Sequence, residues 1–287
     1  MNYTITNEKL SITIDSYGSQ LLSIKTNDGH EYMWQRDEKY WKESAPVIFP
    51  FVARLVDKTY YIDGKKYVMD NHGFARNQEY EVEKISDNEI IFSINENEET
   101  LKAYPRKFQF SLIYKLVDNK LYITYKVVNN DDKMMYFGLG GHPGFNVPLK
   151  EGLTFEDYYI EYETCDTQKV IFTDTCFVDK IVPYKLDNKR IYLKHNIFDD
   201  DAIVLKGGHK ATLKTDKDNR LVTINYPNMD YFGIWHRVKS DAPYVCLEPW
   251  LSLPAKKEGE TVFESEEGLI HLKPNDVYEN TYSIEIE

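Results

Sequence analysis

The stretch Phe108 to Asn129, FQFSLIYKLVDNKLYITYKVVN, decides the fold. Apolar or aromatic residues alternate with polar ones over about ten residues on each side of Asp118 and Asn119. This period of two predicts a long antiparallel hairpin turning at Asp118 and Asn119. Its register is fixed by the pattern, because a slip of one residue would turn every apolar side chain outward.

The same alternation extends in both directions. Leu10, Ile12 and Ile14 face away from Ser11 and Thr13, and Leu22 and Ile24 repeat the pattern after a turn at Gly18. TYYIDGKKYVMD predicts a hairpin at Asp63 and Gly64, and EYEVEKI with EIIFSIN predicts another across Ser86 to Asn88. Towards the C-terminus, YYIEYET, KVIFT, RIYLKH, AIVLKG, ATLKT, RLVTINY, YFGIWH and YVCLEPW read as shorter strands, and ENTYSIEIE as a strand closing a sheet edge. Only Glu96 to Tyr104 and Asp37 to Lys42 suit short helices, since no apolar stripe recurs at helical spacing over several turns. Neither a linker rich in Pro, Gly or Ser nor a repeat of fixed period interrupts the pattern. The expectation is an all-β protein, one large β-sandwich over residues 1–287 with one or two short helices.

Composition narrows the function. Lys plus Arg number 35 against 47 Asp plus Glu, a net charge of −12, which argues against nucleic acid or an anionic membrane as partner. Cys165, Cys176 and Cys246 show no CxxC spacing and read as free thiols of a reducing compartment. With no basic, apolar leader and no run of 18 apolar residues, the chain is expected to be soluble and cytoplasmic. The 23 Tyr, 14 Phe and 4 Trp suit strands, which accounts for most of them, and also suit a surface that covers the C–H face of a sugar.

Four stretches carry candidate chemistry. In YFGLGGHPGFN (136–146), His142 is fenced by Gly141, Pro143 and Gly144, so its ring is presented at a strand end as a candidate acid or base. The glycines are expected to supply backbone conformations closed to other residues. FPFVAR sets Arg54 among apolar residues, where a guanidinium requires a carboxylate, backbone carbonyls or an oxygen-rich ligand. NHGFARN brackets Gly73 and Phe74 with His72 and Arg76, donors suited to hydroxyl or phosphate recognition. In YVCLEPW, Glu248 ends an apolar run, so it is either ion-paired, with Arg54 or Arg237, or raised in pKa as a general base. Asp199, Asp200 and Asp201 precede a strand as a solvated turn. GLGGHPG departs from GxGxxG, HExxH and GxSxG are absent, and the seven His are scattered singly. No nucleotide, metal or other cofactor is expected.

FPFVAR, NHGFAR, GGHPGFN and CLEPW, in this order in a β-rich chain, resemble the aldose 1-epimerase (mutarotase) superfamily, in its LacX-like branch, with similarity also to hexose-6-phosphate mutarotases. The resemblance implies a large twisted β-sandwich with a sugar site on a concave sheet face, His142 as general acid and Glu248 as general base. It further implies that Arg54 and His72 bind sugar and that Asp201 is an acidic sugar ligand, with Asp200 left open by the run of three. Two departures concern the sugar: Ala53 stands where the family usually has Gly, and the longer loops of galactose-specific members are missing. The implied activity is cofactor-free interconversion of α and β anomers of a free aldose or aldose phosphate, by a monomer or homodimer. In a phosphate site Arg76 would be the free cation, aided by Lys65 and Lys66, unless it pairs with Asp70 or Glu79. Two other functions fit the same residues: a non-catalytic carbohydrate-binding or sugar-sensing domain, and a glycoside hydrolase, for which no second sheltered carboxylate is evident.

Overall fold

In the computed structural model, which describes residues 1–287, the expected hairpin lies inside the larger of two main sheets. Phe108–Val117 and Lys120–Asn129 pair antiparallel without a break, from Val117↔Lys120 to Phe108↔Asn129. Asp118 takes a φ of 51°, a conformation that Asp tolerates better than most residues. Phe110, Leu112, Tyr114 and Leu116 are buried with Leu121, Ile123, Tyr125 and Val127. Tyr122, Thr124 and Lys126 are only partly covered on the opposite face.

Nine strands make this sheet, in the order Arg190–Tyr192, Tyr159–Tyr162, Lys210–Lys214, Val222–Asn225, Val277–Ile286, Lys120–Asn129, Phe108–Val117, Glu89–Asn95 and Glu81–Lys84. The C-terminal strand therefore does not close an edge but sits in the interior, bonded on both sides. Alternation reports which face of a strand is buried and says nothing of what pairs with its two backbone edges, so the sequence pattern fits either position.

A second sheet runs Val178–Lys185, Asp166–Phe172, Ile203–Lys206, Tyr231–Trp235, Tyr244–Trp250, Gly140–Gly141 and Val47–Ile48, with Gly144–Asn146 also paired to Tyr244–Trp250. Val178–Lys185 was not anticipated, because it is an exposed edge strand containing Pro183 and lacks an apolar face. A continuous cluster of 64 buried residues fills the space between the sheets. Within it Phe49 stacks on Phe110 at 4.3 Å, Phe110 on Tyr125 at 6.2 Å and Tyr125 on Tyr282 at 5.8 Å. This aromatic column ties the segment around Phe49 to the hairpin.

Glu98–Ala103 is the α-helix expected within Glu96 to Tyr104, capped by Asn97 in a reciprocal box with Thr100. Asp37 to Lys42 is a turn rather than a helix. Asp37 draws the amides of Lys39, Tyr40 and Trp41 onto its own oxygens, and Trp34 Nε1 donates to the Trp41 carbonyl, which stops the helix after one turn. No helix is long and apolar enough to cross a membrane.

The outer face of the second sheet positions the site. Pairs Tyr231↔Trp250, Gly233↔Glu248 and Trp235↔Cys246 share a face, while Phe232, Ile234, Val245 and Leu247 turn to the main core.

Candidate active site

That outer face carries a cavity of about 250 Å³, walled by Trp41, Trp235, Trp250 and Phe172. The period of two on Tyr244–Trp250 sends Glu248 into it while Leu247 anchors the strand from behind. His142 enters between Gly140–Gly141 and Gly144–Asn146, two short strands held by the same Tyr244–Trp250. The surrounding glycines have a different purpose from the one expected. None of Gly140, Gly141 and Gly144 takes the left-handed φ that favours glycine. Each is instead packed too closely for a side chain: a Cβ on Gly141 would meet the Tyr282 hydroxyl at 2.7 Å, and one on Gly144 would meet Trp41 at 3.0 Å.

His142 Nε2 lies 3.2 Å from Glu248 Oε2. Glu248 is 1 % exposed and His142 9 %. Burial, reinforced by the Arg76 charge, pushes the His142 imidazole down to about 3. Burial, reinforced by Asp201, raises the Glu248 carboxyl well above its ordinary value. Both shifts favour the same resting state, a neutral imidazole beside a protonated carboxyl. The contact is close but not aligned as a hydrogen bond, and Glu248 Oε2, His142 Nδ1 and Trp250 Nε1 have no hydrogen-bond partner. Buried polar atoms are rarely left so, and here they converge on one cavity. Trp41 and Trp235 pack the His142 ring, with centroids at 5.2 and 5.6 Å.

His72 stands at right angles to His142, 5.5 Å away between ring centroids. Ala53 and His72 both adopt positive φ, 53° and 63°. They are tied twice: the Ala53 amide donates to His72 Nδ1 at 3.2 Å, and the His72 amide donates to the Ala53 carbonyl at 2.9 Å. With Nδ1 accepting, the neutral ring carries its proton on Nε2 and is a donor there. Burial, then the neighbouring His142, holds His72 well below its usual pKa, so it stays neutral. The left-handed φ at position 53 also explains why glycine suits that position and why Ala53 is strained.

Arg54 is not buried as its apolar neighbours suggest: its side chain is 47 % exposed, Nη2 lies 4.0 Å from Asp201 Oδ2, and Nη1 donates to the Thr175 carbonyl at 3.4 Å. Asp201 lines the cavity, whereas Asp199 and Asp200 are exposed and do not. Arg76 also lines the cavity but pairs with Glu43, not with Asp70 or Glu79. Asp70 is taken by Lys58 at 2.7 Å, and Lys65 and Lys66 lie outside the cavity wall. Glu248 pairs with neither Arg54 nor Arg237, whose guanidinium donates to the Tyr40 carbonyl at 3.0 Å.

Sequence reasoning missed Trp41, Glu43, Cys176 and Trp235. Trp235 follows from strand pairing once Cys246 is placed opposite it, but the other three arrive on irregular segments with no motif. Cys246 Sγ, His142 and Glu248 offer atoms within 4.8 Å of one another. A cation suits them poorly, because burial raises both the Cys246 thiol and the Glu248 carboxyl and keeps their protons on.

Comparison with known proteins identifies the family of the chain. The aldose 1-epimerase family model matches residues 1–285. The chromosomal protein LacX of Lactococcus lactis subsp. lactis is 30 % identical over 303 residues, covering 100 % of this chain and 99 % of LacX. A galactose mutarotase related enzyme from Lactobacillus acidophilus superposes with a TM-score of 0.96 at 34 % identity, covering 100 % of this chain and 97 % of that one. A galactose mutarotase-like protein from Lactobacillus casei superposes with a TM-score of 0.94 at 29 % identity, over 100 % of both chains. The chain belongs to the aldose 1-epimerase family, in its LacX-like branch.

Proposed function

We propose that the protein interconverts the anomers of a neutral aldose, with His142 and Glu248 as the acid and base. Arg54, His72 and Asp201 hold the sugar hydroxyls, and residues 1–287 act as one domain. The observation that carries this reading is the 3.2 Å His142–Glu248 pair, of which His142 Nδ1 and Glu248 Oε2 are left without hydrogen-bond partners, at a cavity walled by aromatic rings. The core cluster, running from Ile5 to Ile286, supports the single domain.

Ring opening needs a proton delivered to the ring oxygen and another removed from the anomeric hydroxyl, two oxygens on one carbon. The resting pair holds one acidic proton, on Glu248, and one basic lone pair, on His142. Once an arriving sugar aligns the 3.2 Å contact, proton transfer across it gives an imidazolium and a carboxylate, which the sugar hydroxyls stabilise. His142 then protonates the ring oxygen while Glu248 takes the anomeric proton. Rotation about C1–C2 and closure on the other carbonyl face return both protons. Each positioned group contributes roughly 10² to 10⁴ in rate. The neutral His72 offers Nε2–H to a hydroxyl, and the tryptophans cover the C–H faces.

Charge supports a substrate without phosphate. With Glu248 holding its proton, the cavity wall has two carboxylates, Glu43 and Asp201, against two guanidinium groups, Arg54 and Arg76. Arg76 is neutralised by Glu43, and Arg54 faces Asp201. A phosphate dianion meets no uncommitted cation there. Polarimetry or NMR exchange on freshly dissolved α-anomers of a panel of aldoses and their 6-phosphates, without added cofactor, tests the proposal. Acceleration of at least one free aldose is expected. Binding of a sugar with no acceleration of any would favour a non-catalytic sugar-binding domain instead.

A further inference from the structure

We infer that Cys176 is a positioning residue for Asp201: its S–H clamps one carboxylate oxygen so that the other acceptor positions face a sugar hydroxyl. The clamp rests on geometry, and the identity of its ligand rests on the mutarotase reading above.

Asp201 ends a run of three aspartates, two of them exposed, and takes a φ of 89°, far from the usual range of a non-glycine residue. Left to itself, a carboxylate in such a loop would sample several rotamers. Instead both oxygens are held. Oδ1 accepts from the Ala202 amide at 2.9 Å, and Oδ2 accepts from Cys176 Sγ at 2.8 Å, with Arg54 Nη2 at 4.0 Å.

The turn that carries the thiol is itself held. Cys176 has a φ of 63°, its amide donates to the Thr173 carbonyl at 3.0 Å, and the next amide, of Phe177, donates to Thr173 Oγ1 at 3.2 Å. Arg54 reaches the Thr175 carbonyl of the same turn. Three separate segments thus meet at one carboxylate: the Arg54 loop, the turn 173–177 and the loop 199–202. Of the three cysteines, Cys176 alone lines the cavity. That the cavity receives a polar ligand is indicated independently by Glu248, whose Oε2 is buried there without a hydrogen-bond partner.

A thiol suits the task only while it keeps its proton. Burial, reinforced by Asp201, pushes Cys176 up to about 11, so it remains a donor throughout the neutral range. Because only the thiolate is a strong nucleophile, the same contact makes Cys176 slow to alkylate.

Two measurements test the clamp. The first is iodoacetamide alkylation of Cys176 at fixed pH, followed by peptide mass spectrometry, in wild type and Asp201→Asn. Removal of the carboxylate charge should speed modification several-fold, and an unchanged rate overturns the contact. The second compares sugar affinity and anomer exchange in Cys176→Ala and Cys176→Ser. Loss of the donor should raise KM about tenfold with kcat within about twofold, and Ser should restore KM, as expected for a hydrogen bond to a charged acceptor. In the Asp201→Asn background, Cys176→Ala should add no further loss. An equal defect in Ala and Ser, no defect in Ala, or full additivity with Asp201→Asn overturns the positioning role. If wild type exchanges no anomers, the mutarotase reading fails, while the alkylation arm still decides the clamp.

Discussion

Trp250 lies so close over Gly140 that a Cβ there would fall 2.6 Å from Trp250 Cδ1 and 2.9 Å from the Pro249 carbonyl oxygen. On the other side, a Cβ on Gly233 would approach Trp250 Cζ2 at 3.2 Å. The indole is thus wedged between two bare strands, with Nε1 unpartnered beside Glu248. Gly140→Ala pushes on backbone that cannot yield, so it should destabilise by about 1–3 kcal/mol and depress activity. Gly233→Ala meets only side-chain carbons and should be milder. Thermal denaturation of the two variants checks the order, and equal melting temperatures would contradict the wedge.

His142→Asn and Glu248→Gln keep approximate shape and remove proton transfer. Each should lower kcat by roughly 10² or more while sugar still binds. Calorimetry separates this outcome from unfolding, and wild-type turnover in either variant removes that residue from the pair.

The pair predicts an unusual pH profile for kcat/KM. One shared proton is required, so activity falls on the acid side when His142 takes a second proton, at about 3, and on the alkaline side when Glu248, raised above its ordinary 4.5, loses the only one. These limbs belong to the pair and not to either group alone. A rise centred near 4.5 and a fall centred near 6.5, the ordinary Glu and His values, would mean that the pair is not coupled in this way.

Stability should also fall in acid, and at a higher pH than activity does. His72, His142 and His236 are all held below their unfolded value of 6.5, His236 to about 4, chiefly by burial. The unfolded chain therefore binds more protons as pH falls, and stability present above pH 6.5 drains away towards pH 4. His236 is fully buried, donates Nδ1–H to the Arg237 carbonyl at 2.6 Å and faces His195 Nδ1 at 3.1 Å. Phe198 packs on its ring at 4.4 Å. His236→Phe should flatten the slope of melting temperature between pH 6.5 and 4, even where it lowers the plateau. An unchanged slope would exclude His236 as a contributor.

Much of this was legible in the sequence because two signals are local. Period-two alternation marks strands such as Phe108–Val117 and Lys120–Asn129, and turn chemistry marks Asp63 and Gly64 between their hairpin strands. His142, Glu248, Arg54, His72, Arg76 and Asp201 all reach one cavity, and each lies in a recognisable stretch beside a strand or tight turn. What was not legible depends on partners far apart in the chain. Glu43 meets Arg76 from 33 residues away, and Cys176 meets Asp201 from 25, with no pattern in either segment. Edge and interior positions were equally hidden: the strand Val277–Ile286 alternates as an edge strand would, yet it is bonded on both sides.

If the substrate is a neutral aldose, as proposed above, the Glu43–Arg76 pair is the feature that disfavours a phosphate. Its side chains are about equally buried, 21 % and 20 % exposed, and His142 lies near enough for Arg76 to lower its pKa. With Glu43 in place, Arg76 is neutralised and a sugar phosphate gains little from it. Replacing Glu43 by Gln keeps a polar side chain of similar size and releases the guanidinium. The ratio of kcat/KM for an aldose 6-phosphate to that for the free aldose should then rise about tenfold, the scale of one charge-assisted hydrogen bond. Inorganic phosphate should become a competitive inhibitor of the variant and remain a weak one of the wild type. Arg76→Ala should abolish both gains when combined with Glu43→Gln. If the ratio does not move, or moves equally in Glu43→Gln and in the double variant, Arg76 does not face the sugar and the charge argument for a neutral aldose fails.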